Sequence, residues 1–104
     1  MLLYEKTLDV DEDLVNIITY TQERWGIEQV YKYMTTIEKG MESLARGSSQ
    51  EKRLDIIEGL CVSKCEHHYI FGLRRTKKPM LIVAIFHEKM NLMERLKERL
   101  PELG

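Results

Sequence analysis

Apolar positions recur with a helical period in the first half of the chain and with a strand period in the second. Leu14, Ile17, Ile18, Thr21 and Trp25 fall at i, i+3, i+4, i+7 and i+11, one face of a helix. Val30, Met34, Ile37, Met41, Leu44 and Ala45 repeat the stripe. Gly26 between them is expected to supply a left-handed cap, and Gly47 to close the second helix. A link this short forces the two helices antiparallel, as an αα-hairpin. Thr7 or Asp9 offers the first N-cap, and Asp9 with Glu12 has capping-box spacing. The carboxylates of Asp9, Asp11, Glu12 and Asp13 read as first-turn charges favoured by the helix dipole rather than as a metal site. Trp25, Tyr31 and Tyr33 read as core and flank packing.

Before the hairpin, Leu2 to Lys6 fits a short strand. After it, Gly47-Ser48-Ser49-Gln50 is a loop of small and polar residues. Leu54, Ile56 and Ile57 then approach a sheet with strands near Cys61–Lys64, His67–Arg74 and Met80–Phe86. Alternation in the second of these puts His67, Tyr69, Phe71 and Leu73 on one face, and His68, Ile70, Gly72 and Arg74 on the other. The run Met80 to Phe86 hardly alternates, which suits a strand covered on both faces. Asn91 with Glu94 opens a last helix, Leu92 and Leu96 face inward, and Pro101 stops it. The order β-α-α-β-β-β-α predicts an α+β fold. A helical hairpin packs on a small, mainly antiparallel sheet, with a C-terminal helix, in one domain spanning 1–104.

Composition narrows the class without naming a function. The 104 residues are 43% hydrophobic and 32% charged, ordinary for a soluble globular domain. No apolar run approaches the ~20 residues of a membrane span. MLLYEK has neither the charged lead nor the apolar core of a signal peptide. A cytoplasmic protein is therefore expected, with Cys61 and Cys65 as free thiols. The net charge of −1 hides an asymmetry. Residues 1–51 carry 5 Lys and Arg against 10 Asp and Glu, whereas residues 52–104 carry 11 against 7. The surplus collects at Arg74, Arg75, Lys77 and Lys78, where charge also solvates a hairpin tip and blocks edge pairing.

Conventional catalytic motifs are missing. There is no Gly-rich phosphate loop, no G-x-S-x-G and no cysteine nucleophile with an orienting partner. Cys61, Cys65, His67 and His68 form an irregular C-x3-C-x-H-H run. Strand alternation sends its two histidines to opposite faces, so four tetrahedral ligands do not converge, and neither metal nor cofactor is expected.

At this level the chain resembles the ParE branch of the RelE/ParE toxin superfamily, from residue 1 to about residue 96. The likeness lies in Thr7 followed by Asp13-Leu14 and Ile17, in Tyr20-Thr21 and Trp25-Gly26, and in Gln29 and Tyr33. It continues through Gly59-Leu60, His68 and Ile70-Phe71, and closes with Ile85-Phe86-His87 through Met90-Asn91. Glu66 stands where a tight-turn glycine is common, and Gly72 where an aromatic is common. The resemblance implies the toxin of a type II toxin–antitoxin pair, held by a ParD-like antitoxin whose flexible segment folds on binding. It implies a toxin that traps DNA gyrase by binding rather than by chemistry, with no membrane partner and no sequence-specific contact to nucleic acid. The charge asymmetry and the closing signature mark Arg74, Arg75, His87, Lys89 and Arg95 as the expected target-binding groups. The alternatives are a RelE-like ribosome-dependent mRNA endonuclease, for which Arg74, His87 and Lys89 would supply catalytic groups, and a degenerate toxin that keeps only antitoxin binding. The absence of a broad positive field favours the binder over the nuclease.

Overall fold

A computed structural model describes residues 3–47 and 50–103. Its elements are β1 (Tyr4–Lys6), α1 (Leu8–Trp25), α2 (Ile27–Arg46), β2 (Lys52–Arg53), β3 (Leu60–Cys65), β4 (His68–Arg75), β5 (Lys78–His87) and α3 (Leu92–Arg99), closed by a 3-10 turn, Leu100–Leu103. The strands form one sheet in the order β1-β5-β4-β3-β2. β1 runs parallel to β5, and the other pairs are antiparallel. The chain is thus an α+β fold of the expected order, with one further strand. β2 is two exposed residues, Lys52 and Arg53, paired with Val62 and Cys61. Leu2 and the loop residues Ser48 and Ser49 lie outside the described residues.

The hairpin forms for the reasons its stripes suggest. Val10, Ile17 and Thr21 of α1 and Val30, Ile37, Met41 and Leu44 of α2 are buried. Thr7 is the N-cap of α1, its hydroxyl accepting from the Val10 N–H at 3.2 Å. The Asp9–Glu12 capping box does not form, because the helix begins at Leu8 and both residues sit inside its first turns. Gly26 alone joins the helices, with φ 87° and ψ 171°. That is not the left-handed helical cap expected there but an extended conformation of positive φ, open essentially only to glycine. It turns the chain sharply enough to lay α2 back along α1. Gly47 does adopt the left-handed conformation, φ 91° and ψ 67°, at the end of α2. The apolar stripe stops short of the hairpin's closed end: Trp25 is 71% exposed and Tyr31 70%. The expected packing of these two rings is therefore corrected.

The sheet separates two cores. Met80, Ile82 and Ile85 of β5 and Ile70 of β4 meet the hairpin, together with Cys61 of β3. Val83, Ala84 and Phe86 meet Leu60, Val62, Phe71 and Leu96 on the other side, closed by Leu92 and Leu100. β5 is thus covered on both faces, as its uninterrupted apolar run implies. Its alternation is broken by a bulge: Phe71 opposes Ala84, whereas Gly72 opposes Ile82, so Val83 is the extra residue.

Among the described residues no strand pairs with the outer edge of β5 beyond Ile82, and side chains take that role. The Ile85 N–H donates to Asp13 Oδ2 at 3.1 Å. Arg99 Nη1 donates to the Val83 carbonyl at 3.2 Å, and the same guanidinium grips Asp13 at 2.7 and 3.1 Å. Its Cζ lies 4.8 Å from the centre of the Phe86 ring. One part-buried ion pair thereby ties α1, β5 and α3 together. At the start of α3, Asn91 is the N-cap residue, but its amide donates to the Glu94 carboxylate at 2.7 Å instead of receiving a backbone N–H.

Candidate functional site

A groove runs between the closed end of the hairpin and the ends of β4 and β5. One lobe, about 400 Å³, is bounded by Asn16, Ile17 and Tyr20 of α1 and by Ile85, His87 and Met90. The second, about 530 Å³, is bounded by Trp25, Gln29, Lys32 and Tyr33 of the hairpin and by Glu66 and His67 of the β3–β4 turn. Tyr20, Thr21, His68 and His87 line both lobes, so the lobes are one continuous surface.

Its floor is an imidazole cluster. His68 and His87 stand directly opposite in the β4–β5 register, and their rings meet edge to face at 5.1 Å. The His67 ring stacks against His87 at 6.4 Å. His67 lies in the turn rather than in the strand, which corrects the alternation that put it on the face opposite His68. Tyr33 reaches from α2 to His68 Nδ1 at 2.5 Å and accepts the His67 N–H at 3.4 Å. Burial holds His68 well below the ordinary imidazole range, at about 4, with His87 adding to the effect. Burial likewise pushes the Tyr33 hydroxyl up to about 12. Glu88 accepts from Lys64 at 3.0 Å and pairs with His67 at 2.8 Å. Those two partners hold its carboxyl down at about 2.

The cysteines of the C-x3-C-x-H-H run point elsewhere. Cys61 Sγ donates to the Gly72 carbonyl and Cys65 Sγ to the Thr36 carbonyl, each at 3.4 Å. Both are free, and burial raises both thiols, Cys61 to about 12, away from the reactive thiolate.

The five target-binding candidates fall into two groups. His87 and Lys89 line the first lobe. Arg95 lines an adjoining depression that shares Asp13, Asn16, Phe86 and Met90 with that lobe. Arg74 and Arg75 sit at the other end of β4, about 20–23 Å from His68 at the usual strand rise. Both are engaged in the fold. Arg74 donates to the Leu44 and Ala45 carbonyls at the end of α2 and to Glu51 at 2.7 Å. Arg75 donates to Glu5 at 2.7 Å and to the Pro79 carbonyl, pinning β1 beside β5. The Tyr33–His68 contact and the Asp13–Arg99 pair were not anticipated. The first joins α2 to β4 across 35 residues and has no local signal. The second joins residues 86 apart and has none either.

No described helix is long and apolar enough to cross a membrane. Residues 4–92 match the family described as ParE toxin of type II toxin-antitoxin system, parDE. A curated relative, Toxin ParE of Escherichia coli, is 43% identical over 101 residues, covering 96% of this chain and 98% of that protein. Match and identity span both helices of the hairpin, the whole sheet and the groove between them, and the chain belongs to the ParE toxin family of type II toxin–antitoxin systems.

Proposed function

We propose that this toxin stops growth by binding DNA gyrase in the cytoplasm and is neutralised by a ParD-like antitoxin. The observation that supports inhibition by binding is the separation of Arg74 from His87 and Lys89, the three groups that cleavage would need together. Phosphodiester cleavage needs a base and cationic groups converging on one phosphate. Here Arg74 and Arg75 are bound to carboxylates at the far end of β4, away from His87 and Lys89. Target contacts are assigned to His87, Lys89 and Arg95 around the groove, with Arg74 and Arg75 forming a separate basic edge. Supercoiling by purified gyrase in the presence of the toxin tests this reading.

The antitoxin is assigned to the hairpin and the groove. Tyr20, Trp25, Ile27 and Tyr31 are 49–71% exposed at the closed end, a density of large apolar side chains characteristic of binding hot spots. An amphipathic helix laid there would bury them, and its extended continuation would follow the groove toward the sheet edge. Changing Trp25 and Tyr31 together to alanine should weaken antitoxin binding by about 3 kcal/mol, more than a hundredfold in Kd. Calorimetric titration of the variant with antitoxin checks this, and an unchanged Kd would move the antitoxin to another face.

A further inference from the structure

Thr21 is 7% exposed, and among the described residues it is the only polar one so deeply buried. Its hydroxyl has no hydrogen-bond partner among them. Thr35 and Thr36 of α2 return their hydroxyls to the carbonyls four residues back, at 2.9 and 3.1 Å, as threonines inside helices commonly do. Thr21 of α1 makes no such bond. Its oxygen is not sealed in either, since no enclosed side-chain oxygen or nitrogen among the described residues lacks a partner. The opening is the groove, because Thr21 lines both of its lobes.

His87 brings a donor to the same junction. Its Nδ1 accepts the Lys89 N–H at 3.1 Å, and a backbone amide only donates. The neutral ring therefore carries its proton on Nε2, and a charged ring would carry one there too. Nε2 has no partner among the described residues, and His87, like Thr21, lines both lobes. The charges around the junction have one sign. Lys89 on the first lobe and Lys32 on the second have no ion-pair partner among the described residues. Asp13 is taken by Arg99 and the Ile85 N–H, which leaves Glu66, exposed in the β3–β4 turn, as the acid opposed to them.

Two free donors between two ammonium groups select an acceptor that carries negative charge. A cation would meet Lys32 and Lys89 unshielded. A phosphate has more oxygens than the two donors satisfy, whereas a carboxylate has two. The walls on either side are apolar, with Ile17, Ile85 and Met90 in the first lobe and Trp25 in the second. They suit the chain that would carry the carboxylate. We propose that the junction of the two lobes is a carboxylate pocket, which seats one Asp or Glu side chain of the docked antitoxin on the Thr21 hydroxyl and the His87 Nε2–H. Apolar neighbours of that acid fill the lobes. The identity of the polypeptide rests on the assignment of the groove to the antitoxin; the pocket itself does not.

Thr21→Val keeps the shape of the buried side chain and removes its hydroxyl, and Thr21→Ser keeps the hydroxyl. Each Asp and Glu of the antitoxin's toxin-binding segment is changed in turn to alanine and titrated calorimetrically against wild-type toxin, T21V and T21S. At one acidic position the change should raise Kd roughly tenfold or more against wild type and T21S, and less than about threefold against T21V. A scan in which every acid costs the same against all three toxins overturns the seating of an antitoxin acid. Acetate reads the pocket without any partner. Added to the toxin at constant ionic strength, with chloride as the reference, it should shift the His87 and Thr21 NMR signals saturably in the wild-type chain and not in T21V. Signals that respond to acetate no more than to chloride overturn the pocket, and inorganic phosphate acting at lower concentration than acetate overturns its assignment to a carboxylate. A pocket that takes acetate while the antitoxin binds wild type, T21V and the Trp25–Tyr31 alanine variant equally would instead refute the placing of the antitoxin in the groove.

Discussion

Arg99→Ala should destabilise the fold by about 3 kcal/mol, because it removes one partner of a mostly buried ion pair. The Asp13 side chain is 12% exposed and the Arg99 side chain 18%. Without the guanidinium, the Asp13 carboxylate keeps the Ile85 amide but loses its two charged hydrogen bonds. The Val83 carbonyl at the bulge loses the Arg99 donor, and the C-terminal helix loses its anchor on α1. Asp13→Asn should cost less, since its carbonyl can still accept from Ile85. Urea unfolding of both variants checks this order. A loss below about 1 kcal/mol for Arg99→Ala would place the pair among weakly contributing surface bridges.

Gly59→Ala should be comparably severe, for two reasons that add. Gly59 has φ 86°, which an L side chain rarely adopts, and its added Cβ would lie 2.6 Å from the Arg74 carbonyl oxygen. That neighbour is backbone and cannot swing aside, because the Arg74 N–H donates to the Gly59 carbonyl at 2.8 Å and β3 pairs with β4 from Leu60 onward. Strain of about 1–3 kcal/mol and overpacking of about 1–3 kcal/mol give roughly 2–6 kcal/mol in all. Gly26→Ala is the control. It carries similar backbone strain at φ 87°, but its Cβ meets nothing within 4 Å. Thermal unfolding should rank Gly59→Ala as the worse of the two, and the reverse order would mean that the close approach to Arg74 is readily relieved.

How far the structure could be read in advance follows from the range of each interaction. The helices and the three main strands announce themselves because their periodicity is local and repeats across many residues. The run Met80 to Phe86 lacks alternation because both faces are covered, and the bulge at Val83 further hides its phase. β2 has no such signal: its two side chains are exposed, and it exists only because β3 presents Cys61 and Val62 to it. Trp25 satisfied the helical stripe and yet lies in the open, since periodicity marks a face but not how far along the helix the covering sheet extends. Asp13 looked like one of four helix-start charges, and only the fold reveals that Arg99 waits for it. The same limit applies to the site. Arg74 and Arg75 stood out by composition, but their roles depend on Glu51, Glu5 and the end of α2, all distant in sequence. His87 was legible from the closing motif, whereas its neighbours His67 and His68 were separated by an alternation that the turn at Glu66, with φ 55°, interrupts.

The central claim is that this ParE-family toxin acts on gyrase by binding, and a paired assay tests it most directly. Purified toxin is added to gyrase supercoiling reactions and, in parallel, to a cell-free translation system, beside a variant with His87, Lys89 and Arg95 neutralised. The account predicts that the toxin blocks supercoiling with accumulation of cleaved DNA, leaves messenger RNA intact, and loses at least tenfold in potency in the variant. Cleaved messenger RNA with untouched supercoiling would contradict it.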